Sequence, residues 1–174
     1  MAATPDALDL SRHRDLEGRR RGIVWRRTAI GVLCAFLLAG LFNLFGQRPS
    51  DVLVDSAAAS LDLHAPSRLR GGLLYEASFR IRAHRKLDHA TLVLAPGWAI
   101  TQQINSLEPS PVDETSRDGA IELTLGPIEA GSTYTLYGEF QINPTTVGWW
   151  PGDVSLYDGK DRLAHIDRTI VVFP

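Results

Sequence analysis

The chain has 174 residues, a formal net charge of −2 and one cysteine. One cysteine cannot form an intramolecular disulfide, so a small scaffold held together by disulfides is excluded. Residues 46–174 contain eleven Lys or Arg and sixteen Asp or Glu, with no basic surplus clustered in one place. This balance argues against a nucleic acid partner, and about 125 residues suffice for one domain with one core.

The first 22 residues are rich in Arg, Asp and Ala and show no apolar periodicity. A segment of this kind cannot bury enough apolar surface to offset the loss of chain entropy on folding. We therefore predict a disordered tail over residues 1–22, with its arginines lying along anionic lipid.

An uncharged and mostly apolar run of eighteen residues follows at positions 28–45. A helix of that length rises about 27 Å, close to the thickness of the hydrocarbon core of a bilayer. The run predicts one transmembrane helix over residues 23–46, acting as an uncleaved signal anchor. Seven arginines precede the run and only Arg48 closely follows it. The positive-inside rule therefore predicts a single-pass protein of the cell membrane, with a cytoplasmic N-terminus and an extracytoplasmic C-terminal domain.

A cleaved signal peptide is the alternative interpretation of the same apolar run. The apolar region of such peptides is usually about 7 to 15 residues long and is followed by a small-x-small cleavage site. Here the run is longer, and the residues that follow it, Gly46-Gln47-Arg48-Pro49, offer no such site. An anchor that stays in the membrane is the better interpretation.

Small residues recur at every fourth position of this helix, at Gly31, Ala35 and Ala39, and Asn43 continues the series. Residues four apart lie on one face of a helix, and small side chains there let a second helix approach closely. The stripe predicts packing against the helix of another membrane protein or of a second copy of this chain. The lipid bilayer is the other partner that such a helix implies.

Beyond the helix, apolar and polar residues alternate with the two-residue period of strands that have one buried face. The alternation is clearest in residues 75–83, 121–125 and 134–142. Weaker strand patterns, separated by Gly, Pro and Asp-Gly turn signals such as Asp158-Gly159, cover residues 52–63, 89–95, 99–106, 153–158 and 162–173. Without long amphipathic helices between them, these segments predict an all-β domain over residues 47–174, an antiparallel sandwich of about seven or eight strands.

One local motif refines this prediction. In Ile128-Glu-Ala-Gly131-Ser-Thr-Tyr134-Thr-Leu136, glycine follows the apolar Ile128 by three positions and precedes a tyrosine that opens a strand. This is the spacing of a tyrosine corner, in which Gly131 allows a tight turn and the Tyr134 hydroxyl bonds to upstream backbone. Over these residues the chain resembles the immunoglobulin-like and fibronectin type III-like sandwich domains of bacterial surface proteins. The resemblance implies an immunoglobulin-like sandwich that binds, spaces or supports other proteins.

Residues with catalytic or metal-binding chemistry are few. Neither a nucleophile elbow nor a glycine-rich phosphate loop is present, so we expect no catalytic residue, no enzyme activity and no cofactor. Residues 84–89 carry two histidines and an aspartate on either side of a predicted hairpin turn. We expect no resident metal ion; the candidates for one are His64, His84, His89 and His165, and a predicted acidic loop with Asp113, Glu114 and Asp118.

Two surface features suggest contact with a partner. Trp149 and Trp150 are adjacent on an extended segment, so their side chains point to opposite faces and at most one enters the core. Arg80 and Arg82 share the polar face of a strand, and Arg85 follows closely. Tryptophan and arginine are enriched at interfaces, so these residues are the predicted partner-binding set; the alternative for the arginines is a solvated outer face.

These features predict a membrane-anchored extracytoplasmic binding or accessory subunit that is not an enzyme and supports a larger membrane protein. The alternative is a carrier of a small ligand or metal ion, which would use the histidines or the acidic loop of the sandwich. The two interpretations differ in one observable respect, since a metal carrier needs three or more ligand side chains to converge on one point.

Overall fold

The computed structural model describes residues 19–42, 44, 47 and 49–174, without the side chains of residues 19–21. The chain divides into two compact units, Met1–Leu44 and Phe45–Pro174. Most of the predicted tail, residues 1–18, lies outside the described residues, and so does Asn43 of the predicted stripe.

The first unit contains one helix within its described residues, α1 (Arg19–Leu41). It begins and ends earlier than the predicted helix over residues 23–46. Its segment Gly22–Leu41 has 20 residues and a mean hydropathy of 1.6, and 0% of its apolar stretch is buried inside the described chain. This length and composition are sufficient to cross a membrane, and they equally fit a signal sequence.

The second unit consists almost entirely of strands. In its described part, residues 47 and 49–174, thirteen strands and one short helix follow one another along the chain. Their bounds are β1 (Pro49–Asp55), β2 (Ala59–Pro66), β3 (Arg68–Arg70), β4 (Leu74–Ala83), β5 (Leu87–Leu94), α2 (Pro96–Thr101), β6 (Gln102–Glu108), β7 (Asp113–Arg117), β8 (Ala120–Ile128), β9 (Thr133–Ile142), β10 (Gly148–Pro151), β11 (Val154–Asp158), β12 (Asp161–Ile166) and β13 (Thr169–Phe173).

The strands form three sheets. The front sheet has the order β1-β2-β4-β9-β6, the back sheet has the order β12-β11-β5-β8-β7, and a small bridging sheet has the order β10-β13-β3. Among the described residues, every paired strand is antiparallel to its neighbour except β13 with β3, which are parallel. The predicted all-β antiparallel fold with one preceding apolar helix is confirmed, although the described strands number thirteen rather than seven or eight.

Two predicted strands are each split in the structure, which raises the strand count. The predicted strand 52–63 is a hairpin of β1 and β2, and the Ser56 hydroxyl caps its turn by donating to the Ala59 carbonyl at 2.8 Å. The small residues of that turn carry no glycine or proline signal. The predicted strand 162–173 is interrupted at Asp167-Arg168, where the chain leaves the back sheet for the bridging sheet.

Other segments also differ from the predicted pattern. The predicted strand 99–106 begins inside helix α2, because Pro96 in its first turn favours a helix start. β7 occupies much of the predicted acidic loop, and no alternation marks it because all its side chains are exposed. Residues 84–86 cross from β4 in the front sheet to β5 in the back sheet, so the predicted hairpin turn there is wrong. The predicted hairpin at Asp158-Gly159 is present between β11 and β12.

The two large sheets bury their facing side chains in one core. Trp98 of α2 is 1% exposed and contacts Phe79 and Phe140 of the front sheet, with ring centroids 5.7 and 5.3 Å away. Burying a large apolar side chain contributes about 1.5–3 kcal/mol, so this short helix is held by its tryptophan. Along β4 the alternation predicted from the sequence appears directly as burial of Tyr75, Ala77, Phe79, Ile81 and Ala83.

At the predicted tyrosine corner, the structure shows the turn and the ring but not the hydroxyl bond. Gly131, three positions after the buried Ile128, has a φ of 80°, and its amide donates to the Ala83 carbonyl at 2.8 Å. The Tyr134 ring packs half-buried against the core, and burial raises the pKa of its hydroxyl. That hydroxyl makes no hydrogen bond with any described residue.

Phenylalanine substitutions distinguish Tyr134 from the core residue Tyr75. The Tyr75 hydroxyl is buried and donates to Oε1 of Gln102, whereas the Tyr134 hydroxyl makes no hydrogen bond within the described part of the chain. We expect Tyr75→Phe to lower the free energy of unfolding by about 1–3 kcal/mol, and Tyr134→Phe by less than about 0.5 kcal/mol. Urea unfolding followed by circular dichroism measures both, and a larger loss for Tyr134→Phe would contradict these roles.

Candidate functional site

The bridging sheet lies at one end of the sandwich, the end where the domain begins, here called the proximal end. Pro49 at the start of β1 pairs with Pro66 at the end of β2, and β3 follows directly. β10 and β13 extend the hairpin of β11 and β12 beyond the back sheet, and β13 pairs with β3. β3 continues β2 of the front sheet, whereas β10 and β13 continue β11 and β12 of the back sheet. The bridging sheet therefore joins the two large sheets at the proximal end.

A bend at Gly152 and Arg168 lets the long hairpin leave the back sheet. The Gly152 amide donates to the Arg168 carbonyl at 2.7 Å, and the Arg168 amide donates to Oδ1 of Asp153 at 2.8 Å. A Cβ atom at position 152 would lie 2.6 Å from Cγ1 of Ile170, so a larger residue cannot fit without a shift. The indole Nε1 of Trp98 donates to the Gly152 carbonyl at 2.9 Å, which ties the bend to the core.

The Arg168 side chain is buried at this end of the domain, with 7% of the residue exposed. Its Nη2 donates to the Ala65 carbonyl at 2.8 Å, whereas Nε and Nη1 have no hydrogen-bond partner among the residues that the structure describes. Burial lowers the pKa of the guanidinium, and the Tyr75 hydroxyl partly opposes this; burial also raises the pKa of Tyr75. A buried cation is costly, and here its one side-chain hydrogen bond links the segment before β13 to β2.

The outer face of the bridging sheet carries aromatic, aliphatic and cationic side chains. Cross-strand register aligns Trp149, Val171 and Arg68 in one row, and Phe173 with Arg70 in the next. Trp149 is 79% exposed, and both arginines are exposed. Among the described residues, neither arginine has an ion-pair partner. These five residues are called the Trp149 face below.

The two adjacent tryptophans point in opposite directions, as alternation along an extended strand requires. Trp149 faces solvent, whereas Trp150 is half-buried and packs against the core. The indole Nε1 of Trp150 is buried, and no described residue is its hydrogen-bond partner. Of the two, Trp149 is the one whose ring is available to a partner.

The predicted cationic residues divide between two surroundings. Arg80 and Arg82 lie exposed on the outer face of β4, and Nη1 of Arg80 is 3.7 Å from Oδ2 of Asp62 on β2. Arg85 lies in the segment that crosses to the back sheet, with Nη2 4.0 Å from Oδ2 of Asp158. Two of the three predicted contact arginines are thus partly neutralised within the domain, and whether any binds a partner stays a prediction.

Three of the four predicted histidines are hydrogen-bonded to nearby side chains, His64 to Asp51, His84 to Asp55 and His165 to Ser155. The acidic residues Asp113 and Glu114 are neighbours on β7, so their side chains point to opposite sides of the strand. Over the described residues, no three His, Cys, Asp or Glu side chains come close enough to hold a metal ion.

The small residues of α1 keep the spacing predicted from the sequence. Gly31, Ala35 and Ala39 lie along one face of the helix. Apart from its chain neighbours and the backbone of its own helix, a Cβ atom added to Gly31 would meet no atom of the described residues within 4 Å, so there is room for another helix here.

Sequence reasoning missed most of the Trp149 face. β3 is only three residues long, and its partner in the sheet is the last strand of the chain, in parallel register. Nothing local indicates such a pairing. The one signal available was the alternation of Arg68, Leu69 and Arg70, in which the central leucine is 1% exposed and both arginines are exposed.

Comparison with known proteins finds distant structural likeness and no family. No family model matches the chain, and no curated protein matches it. Among solved structures, it is similar to a cohesin-like β-sandwich in the crystal structure of the CaDoc0917–CaCohA2 complex, with a TM-score of 0.32 and 16% identity. The match covers 57% of this chain and 82% of the other. At this level of similarity the neighbour assigns no function to the chain.

Gly97 of α2 lies close against β10 of the bridging sheet, and its substitution tests how that sheet is held. A Cβ atom there would lie 2.0 Å from the Pro151 carbonyl oxygen, so β10 must move. We expect Gly97→Ala to cost about 3 kcal/mol of unfolding free energy or more. Gly131→Ala is the control, since a Cβ there meets nothing and the cost of about 1 kcal/mol comes from its positive φ alone. Equal urea midpoints for the two variants would refute this packing role.

Proposed function

We propose that this protein is a single-pass membrane-anchored accessory or binding subunit, without enzymatic activity, whose sandwich lies outside the cytoplasm. The observation that carries the proposal is the apolar segment Gly22–Leu41 of α1, which is 20 residues long and unburied. Leaving so large an apolar surface in water is unfavourable, so a bilayer is its best environment. A separate compact unit follows the helix and supplies the contact surface.

The charges on either side of the apolar run at residues 28–45 support the proposed orientation. Seven arginines lie before residue 28, whereas Arg48 is the only one between the helix and Arg68. Trp25, with Arg26 and Arg27, suits the inner headgroup layer, where aromatic rings and the long side chains of cations are favoured.

The small-residue face of α1 supports a partner within the membrane, either a larger membrane protein or a second copy of this chain. Gly31, Ala35 and Ala39 leave room for close backbone approach, which provides the packing energy between helices in lipid. The sandwich then serves as an additional contact surface outside, where Arg82 on the outer face of β4 is exposed and has no ion pair within the described residues.

Cysteine labelling tests the orientation, because Cys34 is the only cysteine. In a Cys34→Ala background, we expect Ser132→Cys, in an exposed turn of the sandwich, to react with a membrane-impermeant maleimide on intact cells or spheroplasts. Ala3→Cys should react only after lysis. The reverse pattern would overturn the proposed topology, and release of the sandwich from the membrane fraction would favour a cleaved signal peptide.

Bulk added to the helix face tests the proposed partner. Gly31→Leu with Ala35→Leu should reduce crosslinked association with a membrane partner, or with a differently tagged copy, about fivefold or more. Ala29→Leu adds a leucine about 160° from Gly31 and about 120° from Ala35 around the helix, and should leave association unchanged. His84→Ala with His89→Ala should also leave it unchanged. Loss of association in the histidine variant alone would favour a carrier instead.

A further inference from the structure

We infer that the Trp149 face rests on anionic phospholipid headgroups of the membrane that α1 crosses, an inference that depends on the proposed anchoring. The face combines one highly exposed indole, at 79%, with two exposed arginines that have no ion-pair partner among the described residues. An indole is amphipathic, and a guanidinium binds phosphate oxygens through two parallel hydrogen bonds. Tryptophan and arginine together are typical of the headgroup layer.

The position of this face in the chain favours a lipid partner. Residues 42–48 connect the last residue of α1 to Pro49, and seven residues span at most about 25 Å. Pro49 pairs with Pro66, only two residues before Arg68, so the Trp149 face lies at the end of the domain that this short connection tethers. The other end of the sandwich is about 30 Å farther along the ten-residue strand β4.

The distribution of charge at the proximal end also favours anionic lipid. The domain as a whole is acidic, with sixteen Asp or Glu against eleven Lys or Arg over residues 46–174, so most of its surface is repelled by anionic headgroups. Arg68 and Arg70 provide a local exception. Of the carboxylates near this end, Asp51 and Glu76 lie on the outer face of the front sheet, whereas Asp153 and the exposed Asp167 lie at the bend that leads into β13.

Exposed apolar residues around the face support the same contact. Val147 is 52% exposed next to β10, and Leu74 is 48% exposed at the start of β4. Val147 is two residues before Trp149, whereas Leu74 lies with Glu76 on the outer face of β4. Exposed apolar side chains next to the Trp149 face are favoured at the boundary between headgroups and acyl chains.

The test uses the full chain reconstituted in vesicles, with an environment-sensitive fluorophore on Val147→Cys in a Cys34→Ala background. Vesicles contain phosphatidylcholine alone or with about 30% phosphatidylglycerol, and lipids with a nitroxide near the headgroup act as quenchers. We expect quenching of the Val147 probe in the anionic vesicles, less in the zwitterionic ones, and a decrease at high salt because exposed charges are screened. The same fluorophore on Ser132→Cys, at the opposite end of the sandwich, should remain unquenched.

Charge reversal provides the matched comparison. Arg68→Glu with Arg70→Glu should lower headgroup contact by roughly fivefold for each arginine. Arg80→Glu with Arg82→Glu makes the same change in charge on the outer face of the front sheet and should leave quenching unchanged. Trp149→Ser should reduce quenching in both kinds of vesicle. Thermal melts followed by circular dichroism confirm that each variant is folded.

The outcomes separate this inference from the proposed anchoring. Two results overturn the docking alone. In the first, the protein floats with the vesicles but the Val147 probe is not quenched. In the second, quenching is equal in both lipids and is unaffected by Arg68→Glu with Arg70→Glu. Photocrosslinking at position 147 to another protein in native membranes, without lipid quenching, assigns the face to a protein partner and also overturns it. Failure to float with the vesicles refutes the anchoring and the docking together.

Discussion

Trp98 is the residue on which the arrangement of the three sheets depends. Its ring fills the core against Phe79 and Phe140 of the front sheet, and its indole nitrogen donates to the Gly152 carbonyl where the long hairpin bends. One side chain thus stabilises the core and also specifies where a back-sheet hairpin turns away from its sheet. A domain without disulfides depends on side chains such as Trp98, because their packing buries apolar surface and their hydrogen bonds fix one backbone geometry.

The two sides of the bridging sheet have different physical roles. On the inner side, Leu69, Ile170 and Val172 are buried, each with 1% of its surface exposed. On the outer side, Trp149 and the two arginines are exposed. Substitutions there are therefore expected to have little effect on the stability of the domain.

The sequence predicts a strand or helix correctly where the pattern that specifies it lies within the segment itself. The strands around Tyr75, Leu123 and Leu136 were predicted because buried and exposed positions alternate along them, and apolar and polar residues alternate in the same way in the sequence. The apolar helix was evident for the same reason. β7 was missed because it is exposed on both sides, and the crossing of residues 84–86 between sheets was missed because a hairpin and a crossover use similar turn residues.

The candidate site was harder to predict than the fold. Trp149 was found because adjacent aromatic residues on a strand cannot both be buried. Arg68 and Arg70 were not found, because only the pairing of β3 with β13 brings them beside Trp149. At the predicted tyrosine corner the glycine turn is present, whereas no hydroxyl bond to a described residue is seen, since a short motif specifies backbone conformation more strongly than the path of a side chain.

The pairing of β3 with β13 also has a consequence for how the domain folds. The hydrogen bond from Arg168 to Ala65 joins residues 103 positions apart, and the parallel pairing of the two strands closes a loop of similar length. Contacts so distant in sequence form late and slowly, because the entropy of closing the loop must be lost first. β3 therefore stays unpaired until β13 forms, and during that time its edge is open to incorrect pairing with another chain.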